Sequence, residues 1–599
     1  MKSLKGKDYN MVDIIKIPFR CSKTYSGLIA FQKLTEGLIP SIQVLVTAIF
    51  LDTAIQVVGR KKEIISILIP ISLLIILIAY SWISNQVIKF MEVKLEFELK
   101  ESFRISIIEK IAKLKYKHVE NQESWDLISR VSKNPEIKIK KAYINVLSFF
   151  AMILRVLGLL AILVTKVWWA AILIMLMSIP IVILSIKCGK ASYEASREVS
   201  KYERMHEYLR EVLLGREAVF ERTLFRYTDK INEKWKSQYE TTRKLQFEAR
   251  LKNFVKVKGG SIVTAAISIL MIIILIKPVY DRLLSVGMFI SIANGLLELT
   301  RIMSFRLSNY ADELSKGMEY LKDLSNFTKL DELEDASDLP LSEILEVDSL
   351  EFKNVFFKYP GTDNYILKNL SFKIDKGKHY AFVGTNGAGK TTITKLITGL
   401  YDEFEGDILI NGKSIKDYKL GQLKSMCSIV YQDFAKYFIS IKDNISLGNV
   451  NGMGEELQEG KIIDAVKLMD MEDAVYALPK GLDTPLGKIK EDGQDLSGGQ
   501  WQRIALARSI ISTSSFRILD EPTAALDPIS ESNIYDEFKE ISKDATTIFI
   551  SHRLGSTKLA NEIFVLENGT IIEKGSHEEL MVVNGVYAQM FENQRSWYL

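Results

Sequence analysis

Six stretches between residues 28 and 305 are dominated by apolar side chains: 28–58, 64–88, 143–166, 168–186, 259–279 and 283–305. A helix needs about 20 such residues to cross the hydrocarbon of a bilayer, so the pattern predicts six membrane-spanning helices. The run 64–79 is the most continuous, followed by 170–177 and 262–276. The first and sixth runs are broken by Glu36, Gln43, Glu298 and Arg301. Helices in a soluble core are the other use for apolar runs, and the length of these argues against it.

The connections alternate short and long. Spans three and four are joined near Lys166 and Val167, and spans five and six around 278–282. The segments 89–142 and 187–258 are long and rich in basic residues close to the spans, among them Lys89, Lys94, Lys100, Arg104, Arg197, Lys201 and Arg204. Basic flanks mark the cytosolic side, which puts both long segments in the cytosol; Arg60, Lys61 and Lys62 in the first short turn run against the trend. Residues 94–115 place Leu95, Leu99, Phe103, Ile107 and Ile111 near a helical period, and 193–213 reads the same way. Two long charged helical extensions result, with non-helical breaks expected near 117–125 and 215–223. Those tips either touch a second domain or end a solvated hairpin.

The acidic, proline-containing segment 331–346 reads as a linker. Beyond it the periodicity changes. Residues 380–383 form a buried-strand pattern. Gly384, Thr385, Asn386, Gly387, Ala388, Gly389, Lys390 and Thr391 follow, and Thr392 continues into a helical pattern. This strand–loop–helix setting is that of a phosphate-binding P-loop. Its glycines let backbone N–H groups turn onto phosphate, and the helix N-terminus adds a favourable field. Lys390 is expected to reach the β- and γ-phosphates of ATP, and Thr391 to hold Mg2+. A second strand, 516–519, ends in Asp520 and Glu521. Asp520 is expected to order Mg2+ through water, and Glu521 to act as general base on the attacking water. Arg517 is unusual in a strand that should be apolar on both faces.

Between and beyond these stand Gln432, the run 496–500 (Leu-Ser-Gly-Gly-Gln), and a strand at 545–550 leading to His552. Together they resemble the ATP-binding cassette of ABC transporters over residues 349–599. The resemblance implies further roles. Tyr359 corresponds to the adenine-stacking aromatic, and Gln432 to the residue that contacts Mg2+ and couples to the membrane domain. Ser497 and Gly499, within the signature that includes Gly498 and Gln500, would bind the γ-phosphate of ATP held by an opposite subunit. Asp527 corresponds to the loop that communicates across the dimer, and His552 to the switch histidine on the γ-phosphate. Glu521 and His552 are the expected catalytic pair, and Thr391, Gln432 and Asp520 the expected metal set.

The fold class expected is therefore a membrane α-helical domain with six spans and long cytosolic helical extensions, fused to an α/β P-loop ATPase domain. The expected boundaries are 1–27 for an N-terminal cytosolic or interfacial segment, 28–325 for the spans, 326–348 for the linker and 349–599 for the cassette. One chain has one P-loop and one signature, which by the resemblance implies a dimer. With Glu521 and His552 both intact, a homodimer is expected rather than a pair with a different partner, in the cell membrane, multi-pass among membrane lipids, with N-terminus and cassette in the cytoplasm.

Composition adds little to this picture but removes other classes. The net charge is +4 over 599 residues, and no basic stripe interleaved with aromatics marks a nucleic-acid surface. Cys21, Cys188 and Cys427 have no paired spacing for a disulfide framework or metal site. No cleavable signal pattern follows the basic N-terminus.

The cargo is the open question. Arg155 in the third span and Asn294, Glu298 and Arg301 in the sixth are costly in a membrane. They are candidates for a polar substrate cavity, or they neutralise one another, Glu298 with Arg301 along one helix or Arg155 with Glu298 across two. The segment 498–508, with Trp501, resembles cassettes of bacterial exporters of modified peptides such as lantibiotics, without the peptidase domain that related exporters carry. A peptide is the expected substrate. Multidrug or lipid export is the alternative, and an ATP-gated channel or non-transporting sensor the reading from a different class.

Overall fold

The computed structural model describes residues 4, 6–215, 219–301, 307–333, 335–336, 339–341, 345–522, 545–551 and 555–596. Side-chain surroundings are not described for 166, 170, 173–204, 556 and scattered positions between 249 and 311. The chain divides into two compact units, Met1–Ile111 with Asp126–Leu330, and Ala112–Trp125 with Asp331–Leu599.

The first unit is helical. Met11–Cys21 (α1) starts at a reciprocal cap: the Asn10 side chain accepts from Val12 N, and Asp13 returns to Asn10 N. Lys23–Val58 (α2) and Leu68–Leu99 (α3) follow. Ile105–Lys113 (α4) leads out of this unit into Tyr116–Glu120 (α5), and Gln122–Ser132 (α6) leads back. Pro135–Leu214 (α7) is helical except at Val167, whose φ of −146° and ψ of 72° make the turn between spans three and four. Val219–Phe225 (α8), Thr228–Ile274 (α9), Ile276–Tyr280 (α10), Val286–Arg301 (α11) and Leu307–Thr328 (α12) complete the series.

Small residues let the helices approach closely, as in membrane bundles. A Cβ on Gly158 of α7 would lie 2.2 Å from Ser41 Oγ of α2, and one on Gly37 would lie 2.7 Å from the Ala151 carbonyl. The outer face of α3 exposes Ile75, Ile76, Ile78, Trp82 and Ile83, a patch that water would not tolerate and lipid would. Among the described residues, Lys23–Val58, Ile64–Lys113 and Pro135–Thr165 are long and apolar enough to span a bilayer, and Ser268–Tyr280 and Val286–Glu298 are shorter apolar helices. The fourth expected span, 168–186, falls largely where side chains lie outside the described set.

Two local expectations need correction. The helix expected over 94–115 is interrupted by a π-helical turn at Lys100–Arg104. The wider turn coincides with two anchors: Phe103 is fully buried, and Arg104 bonds the fully buried Glu136 (Nη2–Oε1 2.6 Å, Nε–Oε2 3.0 Å). The tips expected to be non-helical instead carry the short helices α5 and α8.

The second unit contains two sheets. Ser349–Phe357 (β1), Leu367–Asp375 (β2), Glu405–Ile410 (β4) and Lys413–Ser414 (β5) form an antiparallel sheet in the order β2-β1-β4-β5. His379–Gly384 (β3), Cys427–Val430 (β6), Phe516–Asp520 (β7), Thr546–Ile550 (β8), Glu562–Glu567 (β9) and Thr570–Gly575 (β10) form the other, in the order β10-β9-β3-β8-β7-β6. All its pairs are parallel except β9 with β10. Every residue of β7 and β8 is buried, as a parallel sheet covered on both faces requires. Between the two sheets lies a core that includes Phe352, Phe372, Phe382 and Phe564. Trp501 and Ile504 belong to a second core that includes Val383, Leu519 and Val565.

Candidate nucleotide site

In an open parallel sheet, ligands bind outside the carboxyl ends of the strands. Here β3, β8, β7 and β6 are neighbours, and at that edge they release the P-loop, Ser551, Asp520–Glu521 and Tyr431–Gln432 respectively. The strand order therefore gathers residues up to 167 positions apart, from Gly384 to Ser551.

The P-loop leads directly into Lys390–Ile397 (α13). Gly384 and Gly389 have φ of 148° and 103°, and a Cβ at either would lie 2.1 Å from the Leu566 carbonyl or 2.6 Å from Leu367 Cδ2. Only glycine fits both the left-handed backbone and the close approach. Lys390 is buried, and its Nζ donates to the carbonyls of Gly384 (2.8 Å) and Thr385 (3.1 Å). Burial lowers its pKa, with the Glu521 and Asp520 carboxylates acting in the opposite direction. Those carboxylates and the ammonium thus share one site.

Asp520 ends β7 fully buried; among the described residues neither carboxylate oxygen makes a hydrogen bond of good geometry, and the Thr391 hydroxyl is near enough to oppose the effect of burial on it. Burial, then the neighbouring Glu521, pushes its pKa up to about 6. A buried carboxylate so poorly satisfied is costly, and a hard cation supplies what it lacks. Among the described residues no group of three or more His, Cys, Asp or Glu side chains is arranged to hold a metal alone. Mg2+ needs only one or two protein oxygens together with phosphate oxygens and water, and the buried Asp520 carboxylate beside Thr391 fits that need. Glu521 has φ of 51°, a left-handed backbone uncommon for this residue. Its N–H donates to the Ile550 carbonyl at 2.8 Å, and its carboxylate accepts from Gln432 Nε2 at 2.7 Å. The β6–β7 pairing thus brings together two residues singled out separately in the sequence.

Ser497 caps the helix Gly498–Ile510. Its hydroxyl accepts from Gln500 N (3.2 Å), while Gln500 Oε1 accepts from Ser497 N (2.9 Å), a reciprocal capping box. Gly498 and Gly499 form the first turn, whose free N–H groups favour an anion. Tyr359 follows β1, and its hydroxyl shares a hydrogen bond with Thr392 Oγ1 at 3.0 Å. Arg517 is buried in β7, and burial lowers its pKa to about 10. Asp527 and His552 lie outside the described residues.

In the helical unit, Arg155 Nη1 lies 3.7 Å from Glu298 Oε1, and Nη2 donates to the Glu36 carbonyl at 3.3 Å. Asn294 is exposed on α11, and the Arg301 side chain lies outside the described set.

Sequence reasoning did not find Lys395 or the tip residues that meet it. In the second unit α5 contacts the cassette directly: Lys115 bonds Asp402 (2.7 Å), Lys117 bonds Glu403 (2.6 Å), and Glu120 accepts from Lys395 (2.9 Å) and from the Tyr401 hydroxyl. The only sequence signal was the break between two helical patterns.

A P-loop, a strand-end carboxylate pair and a capped signature helix on one α/β unit define a nucleotide-hydrolysing cassette, here fused to a helical unit with lipid-compatible surfaces. Residues 367–524 match the ABC transporter family. The chain is 30% identical over 577 residues to the subtilin transport ATP-binding protein SpaT of Bacillus subtilis, covering 95% of this chain and 91% of that one. It is 36% identical over 333 residues to an ATP-dependent lipid A-core flippase of Mannheimia succiniciproducens, covering 56% and 55% of the two chains. Its fold is similar to that of a bacterial Atm1-family ABC exporter solved with ATP bound, with a TM-score of 0.75, 22% identity, and coverage of 94% and 98%. The chain belongs to the ABC transporter family. It is an exporter in which a membrane domain and an ATPase domain share one polypeptide, and ATP hydrolysis is coupled to transport.

Proposed function

We propose that this chain works as a homodimer in a bacterial cell membrane and exports a peptide of the lantibiotic type. The buried Asp520 carboxylate beside Lys390 and Glu521 is the observation that carries the ATPase part of the reading. Lys390 and the P-loop N–H groups hold the triphosphate, and Tyr359 stacks the adenine. Thr391, Gln432 and Asp520 would hold Mg2+, which would supply positive charge against that of the phosphates. Glu521 orients the attacking water and takes its proton, with Gln432 fixing its carboxylate. Ser497 and Gly499 of a second copy complete the γ-phosphate contacts, so nucleotide binds the closed pair more tightly than the open one. Differential affinity of this kind is what drives a two-state pump. Segment 112–125 is covalently continuous with α4 and α6, which gives the cassette a mechanical route to the spans. The domain limits we adopt are 28–325 for the membrane domain, 326–348 for the linker and 349–599 for the cassette, with cassette and N-terminus in the cytoplasm.

The peptide assignment rests on the similarity to SpaT along nearly the whole of both chains. The lipid reading is favoured by the higher identity to a lipid A-core flippase, over about half of each chain. The Arg155–Glu298 pair is charge-balanced, which favours a structural role over capture of a charged substrate. ATPase assays of the full chain in lipid nanodiscs separate the readings. Stimulation by lanthionine-containing peptides and not by lipid A-core supports peptide export, and the reverse pattern rejects it. Uphill accumulation in sealed vesicles excludes a channel, which only equilibrates its solute.

A further inference from the structure

Lys395 lies on α13, four residues after Thr391, with its side chain 16% exposed. Its ammonium stands 5.0 Å from the centre of the Tyr359 ring and 5.5 Å from that of Tyr116. Tyr401 meets both rings edge-on, with centroids 5.6 Å away in each case. Glu120 accepts hydrogen bonds from Lys395 and from Tyr401. One carboxylate of the α5 tip therefore holds two of the residues that contact Tyr359, whose ring also meets Phe357 edge-on. The Tyr359 hydroxyl is held in turn by Thr392, the neighbour of Thr391.

We propose that Lys395 is a positioning residue that links adenine stacking on Tyr359 to docking of the α5 tip through Tyr116 and Glu120. The inference rests on Tyr359 being the adenine platform. A cation over one face of a phenol ring fixes its tilt and leaves the opposite face for a base. The same cation is shared with Tyr116 and Glu120, so undocking the tip removes both of those contacts. Reciprocity then follows: the factor by which ATP strengthens docking equals the factor by which docking strengthens ATP. The pairs Lys115–Asp402 and Lys117–Glu403 attach the tip as well, beside Tyr116 and Tyr401 in the chain, and among the described residues neither pair itself contacts Tyr359. Among the described residues the tip reaches the Tyr359 ring through Lys395 and through Tyr401, both held by Glu120. Lys395 is the charged member of the two, so its loss weakens the coupling at the base rather than at the phosphates.

The test uses the full chain in lipid nanodiscs, with ATP in EDTA so that binding is read without hydrolysis. Lys395→Met should weaken ATP binding by about three- to tenfold, the scale of a desolvated cation–π contact, and leave inorganic tripolyphosphate binding unchanged. At saturating ATP it should also reduce the ATP-dependent slowing of backbone hydrogen exchange at residues 116–121, with the Tyr401 contacts keeping a remainder. Lys395→Arg should restore part of both. Tyr116→Leu, which keeps apolar bulk on the tip, gives the same readouts from the other side should the lysine variant misfold. Tyr359→Ala separates the two levels. Unchanged ATP affinity there overturns the platform and the link together. Weakened affinity in Tyr359→Ala with wild-type affinity and protection in Lys395→Met overturns the link alone. Equal loss of ATP and tripolyphosphate in Lys395→Met overturns it as well, by showing general damage to the P-loop.

Discussion

At the carboxyl edge of the parallel sheet two adjacent carboxylates have opposite surroundings. Asp520 is buried and makes no hydrogen bond of good geometry among the described residues, whereas Glu521 accepts from Gln432 and is partly exposed. Burial raises the folded pKa of Asp520 from 3.8 to about 6. The folded state therefore holds this proton more tightly than the unfolded chain does. The cost of the ionised group is absent below about pH 4 and complete above about pH 6. Asp520→Asn should then raise the neutral-pH melting temperature of nucleotide-free protein, by about 2–4 °C per kcal/mol relieved, while stopping Mg2+-dependent hydrolysis. Calorimetry and ATPase assays on one preparation read both, and an unchanged or lowered Tm counts against the account. Glu521→Gln keeps the shape of the side chain and removes the base. Hydrolysis should fall by about 100- to 10,000-fold with ATP still bound; rapid turnover in that variant would reassign the base. The residue types at this edge were legible in the sequence because the motif and the strand endings are local patterns. The left-handed backbone of Glu521 and its bond to Gln432 were not, since both follow from the pairing of β6 with β7 across 89 residues.

Among the secondary-structure elements, the helical extension of α3 shows where periodicity falls short. Leu95, Leu99, Phe103 and Ile107 are all buried, so the apolar stripe was read correctly. The π turn at Lys100–Arg104 inside it was not. A π turn adds a residue without breaking the helix, and what accompanies it is a long-range partner, Glu136. That carboxylate is fully buried while Arg104 is about one-third exposed. Arg104→Ala strands a buried charge and should cost about 3 kcal/mol, the lower end for breaking such a pair given the exposure of the arginine. Arg104→Met with Glu136→Met should recover most of it. Thermal unfolding of the three variants checks the pairing, and additive losses in the double variant would contradict it. The tip helix α5 teaches the same lesson. A break in periodicity located it, but Lys395 and Tyr401 sit 275 and 281 positions beyond Glu120, and no local pattern names them. Arg155 is intermediate. Pairing with Glu298 was one of the readings of the spans, beside a Glu298–Arg301 pair and a polar substrate path, and it is the packing of α7 against α11 that brings Arg155 to Glu298; the Arg301 side chain lies outside the described residues.

For the whole molecule, the central claim is that ATP is hydrolysed between two copies of this chain, each supplying the P-loop of one site and the signature of the other. The chain carries one of each, and a closed twofold pair is the simplest assembly that uses both. Chains bearing Lys390→Ala should be inactive because neither site holds phosphate properly. Chains bearing Ser497→Ala should be inactive because neither site has an intact signature. In a mixed pair one site inherits both defects and the other inherits neither. The decisive measurement is ATPase activity of the two variants co-expressed with different tags and purified through both, in lipid nanodiscs. Recovered hydrolysis in the mixed pairs, with none in either pure variant, is the result the account predicts. Mixed pairs as inactive as the pure ones, or full activity in the pure Ser497→Ala dimer, would contradict it.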